Sequence, residues 1–187
     1  ICLRNVLTTT DARGKVTTFT YDALNRLKQV RDADNKLTTY VYDAAGNLST
    51  VTDAKNHATR FTYDKEDRLK TITDPLARSE SYSYDGNDNL VTTTDRKGQV
   101  ISFNYDVVNQ LIKKILPGNL ATTYDYDALG NLTSVVSAIN IGGSALGGDS
   151  NSSLTFTYDG ISRLMEARTT NPAVTLTYGY DKNSNRV

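Results

Sequence analysis

The sequence predicts an all-β fold of tandem hairpins, and three observations predict it. Tyr-Asp pairs begin at Tyr21, Tyr42, Tyr63, Tyr84, Tyr105, Tyr126, Tyr158 and Tyr180, at spacings of 21, 21, 21, 21, 21, 32 and 22 residues. A second aromatic stands two residues before each of them, at Phe19, Tyr40, Phe61, Tyr82, Phe103, Tyr124, Phe156 and Tyr178, so that two columns hold all 16 aromatics of the chain. Six residues after the Tyr comes a third column, Leu27, Leu48, Leu69, Leu90, Leu111, Leu132 and Leu164, which Arg186 breaks in the last unit. Columns of this kind mark a repeat architecture in which each unit is one supersecondary element.

The residues leading into each Tyr alternate with period two. Thr38, Tyr40 and Tyr42 fall on one face, with Thr39, Val41 and Asp43 on the other. That alternation, rich in aromatics and Thr, reads as a half-exposed strand. The Asp column then opens a turn: Asp22, Asp43, Asp64, Asp85, Asp106, Asp127, Asp159 and Asp181 each precede an Asp-x-x-Gly/Asn-like stretch. Such an Asp bonds amides ahead of it, while Gly or Asn accepts a positive φ. The Leu-x-x-Val segment that follows is the return strand. Its spacing of three, as from Leu27 to Val30, is out of phase with alternation and predicts a bulge.

A second Asp column, Asp11, Asp32, Asp53, Asp74 and Asp95, closes each hairpin to the next and lapses to Leu116, Ser137 and Thr169. Pro75 and the Pro117-Gly118 pair also fall in turns. Each unit therefore reads as two short antiparallel strands and two turns, with no helix. One unit has about four large apolar side chains, worth ~1.5–3 kcal/mol each if buried. Ordering the unit costs on the order of 1.5 kcal/mol per residue, so adjacent units must join into a continuous sheet that buries the aromatic and Leu columns on one face.

The whole chain, 1–187, reads as a single array of about eight units truncated at both ends, as if cut from something longer. A Gly/Ser-rich insertion at 139–150 interrupts it as a surface excursion. A longer period overlies the 21-residue one. The pre-Tyr aromatic alternates Phe with Tyr, and the residue before the Leu column reads Arg26, Asn47, Arg68, Asn89, Gln110, Asn131, Arg163 and Asn185. The resulting 42-residue unit is either a relic of duplication or two alternating structural environments.

Composition excludes several function classes. Lys plus Arg equals Asp plus Glu at 21 each, and the pI is near 6.8, which argues against a nucleic-acid stripe or a membrane-surface patch. One Cys and one His exclude a disulfide framework and a multi-Cys zinc site and leave little for imidazole chemistry. No apolar run approaches the ~18 residues of a membrane-spanning helix. Regularly spaced carboxylates suit calcium, but one per turn fits turn capping better, and a periodic column offers no unique catalytic cleft. His57 is read as a solvated turn residue, and Cys2 lacks a base partner. No cofactor or metal is expected.

Tyr42-Asp43-Ala44-Ala45-Gly46-Asn47-Leu48 and Tyr126-Asp127-Ala128-Leu129-Gly130-Asn131-Leu132 resemble the YD repeat of the RHS family. That family includes Rhs polymorphic toxins, the BC shell of Tc toxins and teneurins. The resemblance implies hairpin ribbons that spiral into a hollow shell, enclosing a C-terminal toxin or effector domain in bacterial members. It carries over no catalytic residue: Asp74-Pro75-Leu76-Ala77 is a repeat turn without an autoproteolytic context. The expectation is thus a non-enzymatic arc of shell from an exported or injected bacterial protein. Its partners are the rest of its own polypeptide and an enclosed cargo, and isolated ends are expected to self-associate edge to edge. The rival reading is a surface adhesion module that binds a glycan or a protein through the exposed strand face or the 139–150 loop.

Overall fold

The structure, a computed structural model, describes residues 5–138, 151–170, 173–184 and 186. The 139–150 insertion, Cys2 and Asn185 lie outside the described residues. The first strands are β1 Thr8–Thr10, β2 Val16–Tyr21, β3 Leu27–Arg31, β4 Leu37–Tyr42, β5 Leu48–Thr52 and β6 Ala58–Tyr63. There follow β7 Leu69–Thr73, β8 Ser79–Tyr84, β9 Leu90–Thr94, β10 Val100–Tyr105 and β11 Leu111–Leu116. The series ends with β12 Leu120–Tyr126, β13 Leu132–Ala138, β14 Asn151–Tyr158, β15 Leu164–Thr170 and β16 Ala173–Thr177. These 16 strands hydrogen-bond in chain order, and the described residues contain no helix. By compactness the chain divides into two units, Ile1–Tyr82 with Thr94–Gly98, and Ser83–Thr93 with Gln99–Val187.

In the first unit the predicted bulge is present in each hairpin. Phe19 pairs with Val30 and Thr20 with Gln29, but Tyr21 pairs with Leu27, so Lys28 is the extra residue on the return strand. The same shift leaves Ser49 extra between Tyr42–Leu48 and Val41–Thr50, and Lys70 between Tyr63–Leu69 and Thr62–Thr71. A bulge inserts one residue and reverses the facing of everything beyond it. This is why Leu and Val three apart lie on the same face as the two aromatics. At the opposite end of the hairpins, Arg31 to Leu37, Thr52 to Ala58 and Thr73 to Ser79 pair without a shift.

The other face of this unit carries hydroxyls. Thr39 pairs with Thr52, Thr62 with Thr71 and Thr71 with Ser81. The Thr62 and Thr71 hydroxyls lie 2.6 Å apart, and those of Thr73 and Ser79 2.9 Å. Cross-strand hydroxyl pairs of this kind are among the contacts that stabilise a sheet.

The second unit repeats the hairpin. Tyr105 pairs with Leu111, Tyr126 with Leu132 and Tyr158 with Leu164, with Ile112, Thr133 and Met165 as the bulged residues. Opposite the pre-Tyr aromatics stand Lys114, Val135 and Ala167, facing Phe103, Tyr124 and Phe156. Lys114 Nζ sits 5.9 Å above the Phe103 ring, so a cation fills the place where other hairpins put an apolar side chain.

One expectation is corrected. The aromatic and Leu columns share a face, but among the described residues no apolar side chain is fully buried, and all 16 aromatics are half-buried. A single layer shields its side chains only with lateral neighbours, whereas full burial takes a second layer.

Candidate functional site

The chemistry of this chain is concentrated where one hairpin meets the next. Each Tyr-Asp turn is a three-residue loop with a left-handed third residue: Asn25, Gly46, Asp67, Asp88, Asn109, Gly130, Ser162 and Ser184 all have φ between 60° and 100°. Only Asx-type residues, Ser and Gly appear in these turns, in keeping with the steric cost of that region for other side chains. The backbone closes with Asp22 N–H to Arg26 C=O at 2.9 Å and Asn25 N–H to Asp22 C=O at 3.0 Å, and the later turns repeat these bonds.

The Asp column sets these turns. Asp22 Oδ1 accepts the N–H groups of Leu24 and Arg26, both at 2.9 Å. Asp64, Asp85, Asp106, Asp127 and Asp159 do the same for residues two and four ahead. Asp43 takes Gly46 and Asn47 instead, and Asp181 takes Asn183. The second oxygen is engaged too, by Arg26, Arg68 and Arg163 Nε at 2.7–2.8 Å and by Asn89 and Asn131 Nδ2 at 2.9–3.0 Å. These charge-assisted bonds favour the ionised form. The Arg26 main-chain N–H, with its guanidinium, holds Asp22 below the usual carboxylate range despite partial burial. Asp64 is lowered first by the Arg68 guanidinium, Asp127 by the Asn131 amide and Asp159 by the Arg163 main-chain N–H. Carboxylates held in this way cap turns, which is the role preferred from sequence over a calcium ladder.

The Tyr column joins hairpins. Tyr42 O–H donates to Leu27 C=O at 2.9 Å, and Tyr63 to Leu48 C=O at 3.0 Å. In the second unit Tyr105 reaches Leu90, Tyr126 reaches Leu111, Tyr158 reaches Leu132 and Tyr180 reaches Leu164, each within 3.0 Å. The Leu carbonyl lies just past the end of the short ladder to the next strand, which covers only Gln29–Thr39 to Arg31–Leu37 in the first such pair. The phenol satisfies a carbonyl that would otherwise lack a strand partner. Burial pushes the Tyr105 and Tyr126 phenols up, with the nearby Asp85 carboxylate adding to Tyr105 and the neighbouring Tyr124 and Asp106 to Tyr126, so both remain donors at neutral pH. Tyr21 closes onto Val6 C=O at 2.9 Å in the same way.

Arginines brace the same junction. Arg26 lies 4.3 Å above the Tyr42 ring and Arg163 4.7 Å above Tyr180, each one hairpin ahead. One face of each of the Tyr42 and Tyr180 rings is therefore occupied from within the chain.

Several features were not foreseen. Val6 stands 21 residues before Leu27, and Asn5 continues the Arg/Asn alternation backwards. The bond from Tyr21 makes Val6 the Leu-column residue of a further return segment, which the fixed spacing would have revealed. Arg96 belongs to no column, yet its Nε lies 2.9 Å from Glu80 and its Nη1 3.8 Å from Asp74. Arg78 pairs with Asp74 at 2.6 Å, and Tyr82 O–H donates to Glu80 at 3.0 Å. Asp74 is the single buried polar residue among those described. Burial works against its ionisation, but the Arg78 bonds outweigh that and its carboxyl stays below the ordinary range. His57, expected to be merely solvated, also has Nδ1 3.2 Å from Asp53 Oδ2, because both side chains rise from the same turn.

The Teneurin YD-shell family model matches residues 4–135. No curated protein matches the chain. Among solved structures, the TcdB2-TccC3-Cdc42 complex is similar with a TM-score of 0.71 at 22% identity, over 92% of this chain and 10% of that one. TcdB2-TccC3 without its hypervariable C-terminal region gives 0.70 at 22%, again over 92% and 10%. The Tc holotoxin pore of Photorhabdus luminescens gives 0.69 with the same identity and coverage. At that identity the likeness is one of fold, and the chain spans about a tenth of the length of these structures.

Proposed function

The chain belongs to the Teneurin YD-shell family, a structural family, and from that premise we propose that all 187 residues act as one length of non-enzymatic wall enclosing a toxic or effector domain of the same polypeptide. The observation that carries the reading is the phenol-to-carbonyl junction, by which each hairpin is fastened to the one before it, as Tyr126 to Leu111. A wall has to resist opening between neighbouring hairpins, and these bonds lie across that seam. The half-buried aromatic face on one side and the hydroxyl face on the other suit a barrier one sheet thick, and the Tc toxin structures support the same reading through their fold. Under it the parent protein is exported or injected, and the cargo meets solvent only on release.

The test is limited proteolysis of the intact parent polypeptide, followed with antibodies to the attached domain. The domain is expected to resist digestion in the native protein and to become sensitive when Tyr63→Asp and Tyr126→Asp open two seams. A domain cleaved equally fast in both proteins overturns the reading.

A further inference from the structure

The residue before the Leu column and the left-handed residue of the following Tyr-Asp turn lie against each other in most units. Each Asn of the first column up to Asn131 is followed by an oxygen-bearing residue and both glycines follow a long side chain, although Arg68 and Arg163 are followed by Asp88 and Ser184. Where the first is Asn, its Nδ2 donates to a side-chain oxygen on the second. Asn5 reaches Asn25 Oδ1 at 3.3 Å, Asn47 reaches Asp67 Oδ1 at 2.7 Å, Asn89 reaches Asn109 Oδ1 at 2.8 Å and Asn131 reaches Ser162 Oγ at 3.0 Å. Where the first is long, the following turn can lack a side chain altogether. Arg26 faces Gly46, where a Cβ would meet its Nη1 at 3.6 Å, and Gln110 faces Gly130, where a Cβ would meet its Nε2 at 3.0 Å. Arg163, also long, spans to Ser184 Oγ at 3.2 Å.

The physical reason is reach. Asn89 and Asn131 spend one amide hydrogen on the Asp of their own turn, and the second finds a partner only where the next turn offers an oxygen; a half-buried N–H left without one is costly. Arg and Gln reach past the turn, Arg26 and Arg163 continuing over the next Tyr ring, so they do not depend on an acceptor there, and Gln110 also needs the room that Gly130 leaves.

We propose that this pair is a recognition element by which one hairpin selects its successor: an Asn hairpin accepts only a turn with an oxygen-bearing left-handed residue, and a glycine turn follows only a long side chain. The 42-residue period then follows from two alternating contact chemistries, and two hairpins with the same consensus are not interchangeable in the array. The element is independent of what the wall encloses.

Urea unfolding of the full chain with residue-resolved hydrogen exchange tests it. Glycine is the residue best suited to the φ of 66° at Asn109, so on backbone grounds Asn109→Gly should be harmless or stabilising. The pairing predicts the reverse: an unfolding equilibrium shifted about fivefold toward the open state, the equivalent of one hydrogen bond, with faster exchange around residues 89 and 109. Asn89→Arg in the same chain should restore most of the loss, and Gln110→Asn should weaken the junction to Gly130. Asn35→Gly, in the turn type at the opposite hairpin end, is the control and should be neutral or slightly stabilising. The proposal is overturned if Asn109→Gly matches Asn35→Gly, or if the Asn89→Arg/Asn109→Gly chain is no more stable than Asn109→Gly alone.

Discussion

The two ends of the hairpins use the same turn and put it to different uses. At the Tyr-Asp end the connections β2–β3, β4–β5, β6–β7, β10–β11, β12–β13 and β14–β15 all have one length, an Asp cap and a left-handed third residue. At the other end Asp11, Asp32, Asp53 and Asp95 cap turns with the same backbone bonds. There, however, Leu116 pairs directly with Leu120 around Pro117, Gly118 and Asn119, and Ala138 pairs with Asn151. These irregular junctions are the ones where the Asp of the turn has lapsed, to Leu116 and Ser137, so this end tolerates loss of the turn whereas the Tyr-Asp end keeps it in every unit. What the Tyr-Asp end has in addition is the phenol reaching the preceding hairpin and the Arg or Asn bracing the next. A turn tied on both sides cannot change length without breaking ties; one that only reverses its own chain can.

Breaking the tied end should have the largest effect. Tyr63→Asp removes the bond to Leu48 C=O and places a charge on the aromatic face, and Leu69→Asp places a charge on that face from the return strand. Each should cost roughly 2–4 kcal/mol, from lost apolar contact and an unpaired, partly desolvated charge. Limited proteolysis should show new cleavage confined to neighbouring hairpins, and an unchanged pattern would count against the account. A finer cut is Tyr126→Phe, which deletes only the phenol; the loss of its bond should cost about 1 kcal/mol in urea unfolding. Tyr124→Phe, in the column that alternates with Phe anyway, should stay within ~0.5 kcal/mol.

Acidity sharpens the comparison, because both ends share the acid limb but only one has an alkaline limb. Asp22, Asp64, Asp127 and Asp159 at the Tyr-Asp end, and Asp53 and Asp74 at the other, all sit below the ordinary carboxylate value when folded. Their contribution is present above the unfolded Asp value of about 3.9 and disappears as pH falls through the lower folded values. Thermal melts should thus be flat from neutrality to about pH 5 and decline below about pH 4. The raised phenols of Tyr105 and Tyr126 have the opposite sign: their contribution is full below about pH 10 and is lost above it. Replacing both with Phe should flatten that limb and leave the acid limb alone. The smallest effect belongs to the other end, where Ala77 holds φ at 60° with a Cβ that disfavours it. Ala77→Gly should raise stability by about 0.5–1 kcal/mol, and a loss would show that Ala77 has contacts worth more than its strain.

Much of this was legible in the sequence, for reasons that particular residues display. A fixed 21-residue period gave strands, turns and order, and the three-residue step from Leu27 to Val30 gave the bulge, since no regular strand puts those two on one face. The caps followed from Asp chemistry, which acts over four residues of chain. The ties between hairpins were harder to foresee. The Tyr column was visible and was read as apolar packing, but the acceptor of its hydroxyl is a main-chain carbonyl 15 residues away, which no side-chain pattern records. The alternation of Arg and Asn was visible, while its partner column, Gly46, Asp67, Asn109, Gly130 and Ser162, looked like ordinary turn variation until the contacts were placed. Arg96 reaching Asp74 and Glu80 leaves no periodic trace, because it occurs once.

The central claim is that the Tyr-Asp end fastens neighbouring hairpins unit after unit, while the other end carries only isolated ion pairs, such as Arg96 to Asp74 and Lys15 to Asp34. Inserting the same short Gly-Ser segment after Gly118 or after Leu129, and comparing urea unfolding of the two chains, tests it most directly. The loop-closure cost of the segment is similar at both sites, on the order of 0.6 kcal/mol per doubling of length, so any further difference reports the ties. The account predicts that the insertion after Gly118 costs little beyond this. The insertion after Leu129 displaces Gly130 and Asn131 from Asp127, Gln110 and Ser162 and should cost about 2 kcal/mol more, the worth of the bonds broken. Equal losses at the two sites would contradict it.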